Sequence, residues 1–96
     1  MDGERMPEIT GFRKVDAEHL ADCLIEAREQ LDSVTGETVL DFSAVHRIDA
    51  SALRALQELA RAADERNVKI GLRAVNVDIY KVLKLMSLAP HFSFMS

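Results

Sequence analysis

The chain has 96 residues, enough for one domain but not for a second hydrophobic core. Apolar residues make up 48% of it, as in ordinary globular proteins, which argues against a disordered chain. The net charge is −4 and the basic residues are scattered, which argues against binding to nucleic acid, because that depends on basic contacts to phosphates. No apolar run approaches the roughly 20 residues of a membrane helix, and the charged first residues do not resemble a signal peptide. We therefore expect a cytoplasmic domain.

The first part of the chain predicts one strand and one helix. Glu8–Val15 has the composition of a short strand, and Asp16 is suited to cap a helix that follows it. Apolar residues then recur at three- and four-residue steps, which is the pattern of an amphipathic helix. Its inward positions, which include the lone cysteine as a small buried side chain, are Leu20, Cys23, Leu24, Ala27 and Leu31. Ser33–Glu37, centred on Gly36, predicts the exit turn.

The rest of the chain predicts alternating strands and helices. In chain order these are a strand, a helix, a strand, a helix and a short last strand, over Thr38–Ser43, Ser51–Arg66, Val68–Val75, Asp78–Leu88 and Phe92–Met95. Asn67 is expected to end the second helix because asparagine tolerates the left-handed conformation, and Pro90 to stop the third.

This alternation predicts an α/β fold. We expect a flexible tail over residues 1–7 and a single domain over residues 8–96. Right-handed crossovers between the strands give a mostly parallel sheet of four to five strands, with three to four helices packed against it.

Residues for catalysis are few. His19, His46 and His91 show no metal-ligand spacing with one another or with the cysteine, and the four glycines form no phosphate-binding loop. Asp41, at the end of a strand, has two interpretations: a general base, or an acceptor that holds the following turn together. We favour the second and expect no enzyme, no cofactor and no metal site.

The segment that leads from the second strand into the second helix, residues 41–51, carries more information; we call it the elbow. Asp49 is placed to cap the helix, and Ser51 lies in its first turn, where backbone N–H groups lack partners. A phosphate there would be stabilised by those groups and would add negative charge to a docking surface. The residues alone leave two interpretations, a plain helix cap and a phosphorylation switch.

This segment resembles the signature of STAS domains, the fold shared by bacterial anti-sigma factor antagonists and the cytoplasmic tails of sulfate transporters. In that family a strand ending in Asp-Leu-Ser leads to an apolar residue, Asp-Ser-Ser-Gly-Leu and a helix. The matching segments here are Asp41–Ser43 and, after four residues, Ile48–Leu53. Val68–Leu72 resembles the family's next strand, and Ile79–Leu88 its last helix. The resemblance covers residues 9 to 95.

Three departures from the family pattern stand out. The family's phosphoacceptor position is Ala50 here, which has no hydroxyl, and Ser51 matches only the family's second serine. Ala52 replaces the motif glycine, and we expect its methyl group to crowd an approaching partner. Only Glu8–Val15 is available for the strand hairpin that precedes the first helix in the family.

The resemblance implies a bacterial, non-enzymatic domain that regulates transcription by binding a kinase-type anti-sigma factor or another regulatory protein. The implied contact surface comprises the elbow and the start of the second helix, at His46, Arg47, Asp49, Ala50, Ser51, Arg54 and Gln57. The alternative is an accessory domain that packs against a membrane transporter or its ATPase, in a phospholipid-transport ABC system or an anion transporter. The apolar residues at the end of the chain, Phe92, Phe94 and Met95, either cover the core or form a homodimer contact.

Overall fold

The computed structural model describes residues 9–34 and 36–95, so the expected tail and Glu8 lie outside the described residues. The described residues form four strands that alternate with three α-helices. In chain order these are β1 (Ile9–Lys14), α1 (Leu20–Glu29), β2 (Glu37–Asp41), α2 (Ala50–Arg66), β3 (Lys69–Arg73), α3 (Val77–Leu85) and β4 (Phe92–Met95). Short 3-10 turns lie at Ala17–His19, Leu31–Ser33 and Ala89–His91. The predicted α/β class is confirmed.

The four strands form one sheet in the order β1-β2-β3-β4, and every neighbouring pair is parallel. Parallel strands in chain order, joined by crossovers of one hand, place the three helices on the same face of the sheet. The other face carries alternate strand residues and no described helix; we call it the open face. Its central positions are Phe12, Val39, Gly71 and Ser93, which are adjacent in register.

The hydrophobic core lies between the sheet and the helix layer. The sheet contributes Leu40, Ile70, Leu72 and Phe92, all buried. The helices contribute a continuous apolar lining, at Leu20, Leu24, Ala27, Ala52, Ala55, Leu56, Leu59, Ala60, Ala63, Ile79 and Leu83. α2 supplies the largest share because it crosses the middle of the sheet and packs along α1. This lining matches the predicted helical periodicity.

Two of the boundaries that differ from the prediction have a clear physical reason. Asp16 caps the 3-10 turn and not α1, since its Oδ1 accepts the N–H of Glu18 at 2.9 Å. β2 ends at Asp41, two residues before the predicted Ser43, because the Asp41 carboxylate turns the chain by binding the Ser43 amide.

The prediction that Pro90 stops the third helix is wrong. α3 ends at Leu85, and Pro90 lies in the following 3-10 turn. Ser87 takes the left-handed conformation, with φ 60°, and the Leu88 N–H donates to the Leu83 carbonyl at 2.8 Å. The left-handed Ser87 and this hydrogen bond are the features of a Schellman cap, which ends a helix without proline. α2 ends in the same way at Asn67, with φ 58°, as predicted.

No helix among the described residues is both long enough and apolar enough to cross a bilayer.

Candidate functional site: the elbow before the second helix

The elbow begins where Asp41 reverses the chain at the end of β2. Its Oδ1 accepts the Ser43 N–H at 2.8 Å, and its Oδ2 lies 3.4 Å from a guanidinium nitrogen of Arg73. The Ser43 amide, followed by the Ser43 hydroxyl, holds the pKa of Asp41 below its usual value, and Arg73 adds to this effect. Of the two interpretations of Asp41, the structure therefore favours the acceptor that holds the turn.

Apolar residues anchor the elbow to the core. Phe42 and Val45 are buried, and Ile48 packs against the core at half burial. The Phe42 N–H donates to the Arg73 carbonyl at 2.8 Å, and the Val45 N–H donates to the Phe42 carbonyl at 2.9 Å. The backbone is thus fixed from both sides, and the polar residues between the anchors point to solvent.

The start of α2 is capped by Asp49. Its Oδ1 accepts the Ala52 N–H at 2.8 Å, and its carbonyl accepts the Leu53 N–H at 2.9 Å. The helix begins at Ala50, one residue before the predicted start. Ala52 is only 1% exposed and belongs to the core. The expectation that its methyl group crowds a partner is therefore wrong, because that methyl points away from the surface.

The structure brings most of the predicted contact residues together at one end of the helix layer. The exposed ones, in the elbow and the first two turns of α2, are His46, Arg47, Asp49, Ala50, Ser51 and Arg54. Gln57 is half-buried, so it offers a smaller contact. Asp49 is exposed, but its carboxylate already serves the cap.

An open groove of about 420 Å³ runs between the elbow and the start of α1. Arg47 and Asp49 line one wall, and Glu18 and Asp22 line the other. Among the described residues Arg47 forms no ion pair, so its guanidinium is available to a partner. The acidic wall could not be predicted from the sequence, because only the tertiary fold brings it next to the elbow.

His19 lies on the same wall of the groove and pairs with Asp16. The His19 Nδ1 is 3.2 Å from the Asp16 Oδ2. This hydrogen bond, together with the Asp16 charge, raises the pKa of His19. The backbone N–H of Glu18, ahead of His19 itself, lowers the pKa of Asp16. The pair places a titrating group beside the elbow.

Asn76 is a second contributor to this site that was not predicted from the sequence. Its Oδ1 accepts the Ile79 N–H at 2.8 Å and caps α3, while its Nδ2 donates to the His46 carbonyl at 3.1 Å. One side chain therefore ties the elbow to the start of α3. Its position three residues before a buried isoleucine is a helix-start signal, but the bond to His46 has no sequence signal.

The described residues include no group of three or more His, Cys, Asp or Glu side chains that could hold a metal ion. The elbow offers charged and polar side chains on a fixed backbone at an open surface, which suits contact with another protein more than enclosure of a small molecule.

Comparisons with known proteins bear on the family and the fold. A family model described as "Mlab, STAS domain" matches residues 13–90, and no curated protein matches the chain. A sulfate transporter family protein from Wolinella succinogenes has a similar structure, with a TM-score of 0.72 and 20% identity over 88% of this chain and 75% of its own.

Two further solved structures share the fold. A candidate anti-sigma factor antagonist from Thermotoga maritima has a TM-score of 0.70 and 15% identity over 95% of this chain and 85% of its own. A chain from a structure of the stressosome, a signal integration and transduction hub, has a TM-score of 0.67 and 22% identity over 92% of this chain and 84% of its own. At these identities the similarity shows the fold, and the match over residues 13–90 shows the family. The chain belongs to the STAS domain family.

Proposed function

We propose that this domain is a non-enzymatic cytoplasmic regulator of the anti-sigma factor antagonist type, which binds a kinase-type anti-sigma factor through its elbow. The supporting observation is the arrangement at the elbow. Its backbone is held by Asp41, Asp49 and buried apolar anchors, while His46, Arg47 and Ser51 remain exposed. A fixed backbone lowers the entropy that a contact surface loses on binding.

A second proposal concerns the switch. Ala50 is the first residue of α2 and is exposed, at the position where the family's phosphoacceptor stands. Without a hydroxyl, this position cannot accept phosphate. Kinase action there would therefore leave the domain in its binding-competent state.

The alternative partner is a membrane transporter or its ATPase. The similarity to a sulfate transporter family protein favours this candidate. The same elbow would serve it, because a contact surface that lacks the phosphoacceptor suits a permanent subunit. The two candidates differ in the protein bound.

Calorimetric titration of the purified domain separates them. The titrants are a kinase-type anti-sigma factor and a transporter ATPase from the same organism. We expect binding to the anti-sigma factor, weakened roughly tenfold or more by Arg54→Glu. Arg61→Glu, the same change two turns further along α2, should alter affinity by no more than about twofold. Binding to the ATPase alone would select the alternative, and equal effects of the two variants would contradict docking at the elbow.

Mass spectrometry after incubation with the anti-sigma kinase and ATP tests the switch. We expect no phosphate on the elbow or first turn of the wild-type domain. Ala50→Ser restores the hydroxyl and should gain one phosphate at residue 50. A phosphate on wild-type Ser51 would overturn the proposal, and phosphorylated Ala50→Ser shows that the kinase is active.

A further inference from the structure

The outward surface of α3 and the strand after it is unusually apolar. Seven large hydrophobic side chains are exposed among the described residues, and five of them lie here: Val77, Tyr80, Leu85, Met86 and Phe94. Val77 is 67% exposed and Leu85 is 84% exposed, and they lie on one stripe of the helix, two turns apart. Single exposed apolar residues are ordinary, but a cluster of them marks a contact surface.

The neighbouring helix shows that such exposure is not general in this protein. The outward positions of α2 carry charged side chains, including Arg54, Glu58 and Arg61, and its large apolar residues are buried or half-buried. The apolar surface is therefore a property of α3, and it needs an explanation of its own.

Two lysines lie within the apolar stripe. Lys81 lies between Val77 and Leu85 on the helix, and Lys84 lies beside Leu85; both are exposed. Neither forms an ion pair with the described part of the chain. We call Val77, Lys81, Lys84 and Leu85 the α3 face. Its chemistry fits an apolar surface with acidic residues around it.

On α1 the chain carries one exposed apolar side chain, Ile25, with acidic residues on either side of it. Asp22, Ile25 and Glu29 follow one another at helical spacing and are exposed, with Ile25 at 43%. Asp22 and Glu29 form no ion pair within the described residues, whereas Glu26 on the same helix pairs with Arg13 at 2.9 Å. We call Asp22, Ile25 and Glu29 the α1 face.

The order of the helices prevents these faces from meeting within one molecule. α1 connects β1 to β2, α2 connects β2 to β3, and α3 connects β3 to β4, so α2 lies between the other two. A second copy, rotated by 180° about a line along α2, brings the α1 face of each copy opposite the α3 face of the other. A two-fold axis makes both complementary contacts at once.

We propose that the domain forms a closed two-fold dimer in which the α1 face of each copy contacts the α3 face of the other. Acidic side chains meet lysines, and Ile25 meets Val77 or Leu85. The contact is weak and depends on salt, because exposed ion pairs contribute little and are screened. This proposal does not rest on the proposed function, but an axis along α2 brings the exposed Arg54 of each copy near the dimer contact, so dimerisation and docking at Arg54 compete.

Sedimentation velocity over a concentration series at low ionic strength tests the dimer. We expect the mass to rise from 10.7 kDa toward twice that value, and to return to the monomer at high salt. A mass that stays at the monomer over the whole series would overturn the proposal. A species larger than the dimer would overturn the two-fold arrangement.

Charge reversal identifies the surfaces. Lys81→Glu with Lys84→Glu makes both faces acidic, and Asp22→Lys with Glu29→Lys makes both basic, so each double variant should dimerise at least roughly tenfold more weakly. Mixing the two variants restores opposite charges at both contacts and should restore the dimer. Lys14→Glu with Lys69→Glu, two lysines of the open face, is the matched control and should behave as wild type. A mixture that stays monomeric, or a control that loses the dimer equally, would contradict the assignment.

Discussion

At the scale of single residues, the polar side chains of the elbow fall into two groups. Asp41 and Asp49 use their carboxylates on backbone N–H groups and so determine where β2 ends and α2 begins. His46, Arg47 and Ser51 are exposed on the backbone that those bonds hold. Mutations in the first group should therefore act mainly on stability, and mutations in the second mainly on binding.

The cap of α2 provides the first prediction. Asp49→Ala removes the acceptor for the Ala52 N–H and should lower the free energy of unfolding by about 1 kcal/mol. Asp49→Asn keeps an acceptor oxygen and should lose much less. Urea unfolding measures both variants, and an equal loss in the two would show that charge, not the hydrogen bond, provides the stabilisation.

His19 provides a pH-dependent prediction. Because Asp16 raises the pKa of His19 in the folded state, the pair stabilises the fold fully below the ordinary histidine value of 6.5. That contribution is lost as the pH rises through the higher folded value. NMR titration should show His19 titrating above 6.5 in the wild type and closer to 6.5 in Asp16→Asn. An unchanged midpoint in the variant would contradict the pairing.

At the scale of elements, Asn76 links two parts of the surface. It caps α3 through its Oδ1 and binds the His46 carbonyl through its Nδ2. Asn76→Asp keeps the cap but removes the donor, whereas Asn76→Ala removes both. We expect Asn76→Ala to lose about 1 kcal/mol of stability and Asn76→Asp to lose little.

Hydrogen exchange resolves the second role of Asn76. Both variants should show faster exchange of the Arg47 and Ile48 amides, since the elbow has lost its bond to α3. Unchanged exchange at these amides in Asn76→Asp would show that the apolar anchors alone hold the elbow.

The end of α3 provides another prediction at this scale. Ser87 has φ 60°, a conformation that strains residues with a Cβ atom, so Ser87→Gly should raise the free energy of unfolding by roughly 0.5–1 kcal/mol. Asn67→Gly, at the equivalent position after α2, should gain less because asparagine tolerates this conformation. Equal gains would mean that backbone strain at Ser87 is not the cause.

At the scale of the whole molecule, the features that depend on neighbouring residues could be predicted from the sequence better than those that depend on long-range contacts. The periodicity of α2 and the conformation of Asn67 could be predicted because both depend on neighbouring residues alone. The end of α3 could not, because serine at position 87 carries no left-handed signal. The groove between the elbow and α1, and the bond from Asn76 to His46, arise only when distant segments meet.

The elbow as the docking surface is the central claim, and NMR mapping tests it most directly. The isotope-labelled domain is titrated with whichever protein binds it in calorimetry. We expect the amide signals from His46 to Gln57 to change most, with those of the open face, such as Val39 and Ser93, unchanged. Changes confined to the open face, with the elbow signals unaltered, would contradict the claim.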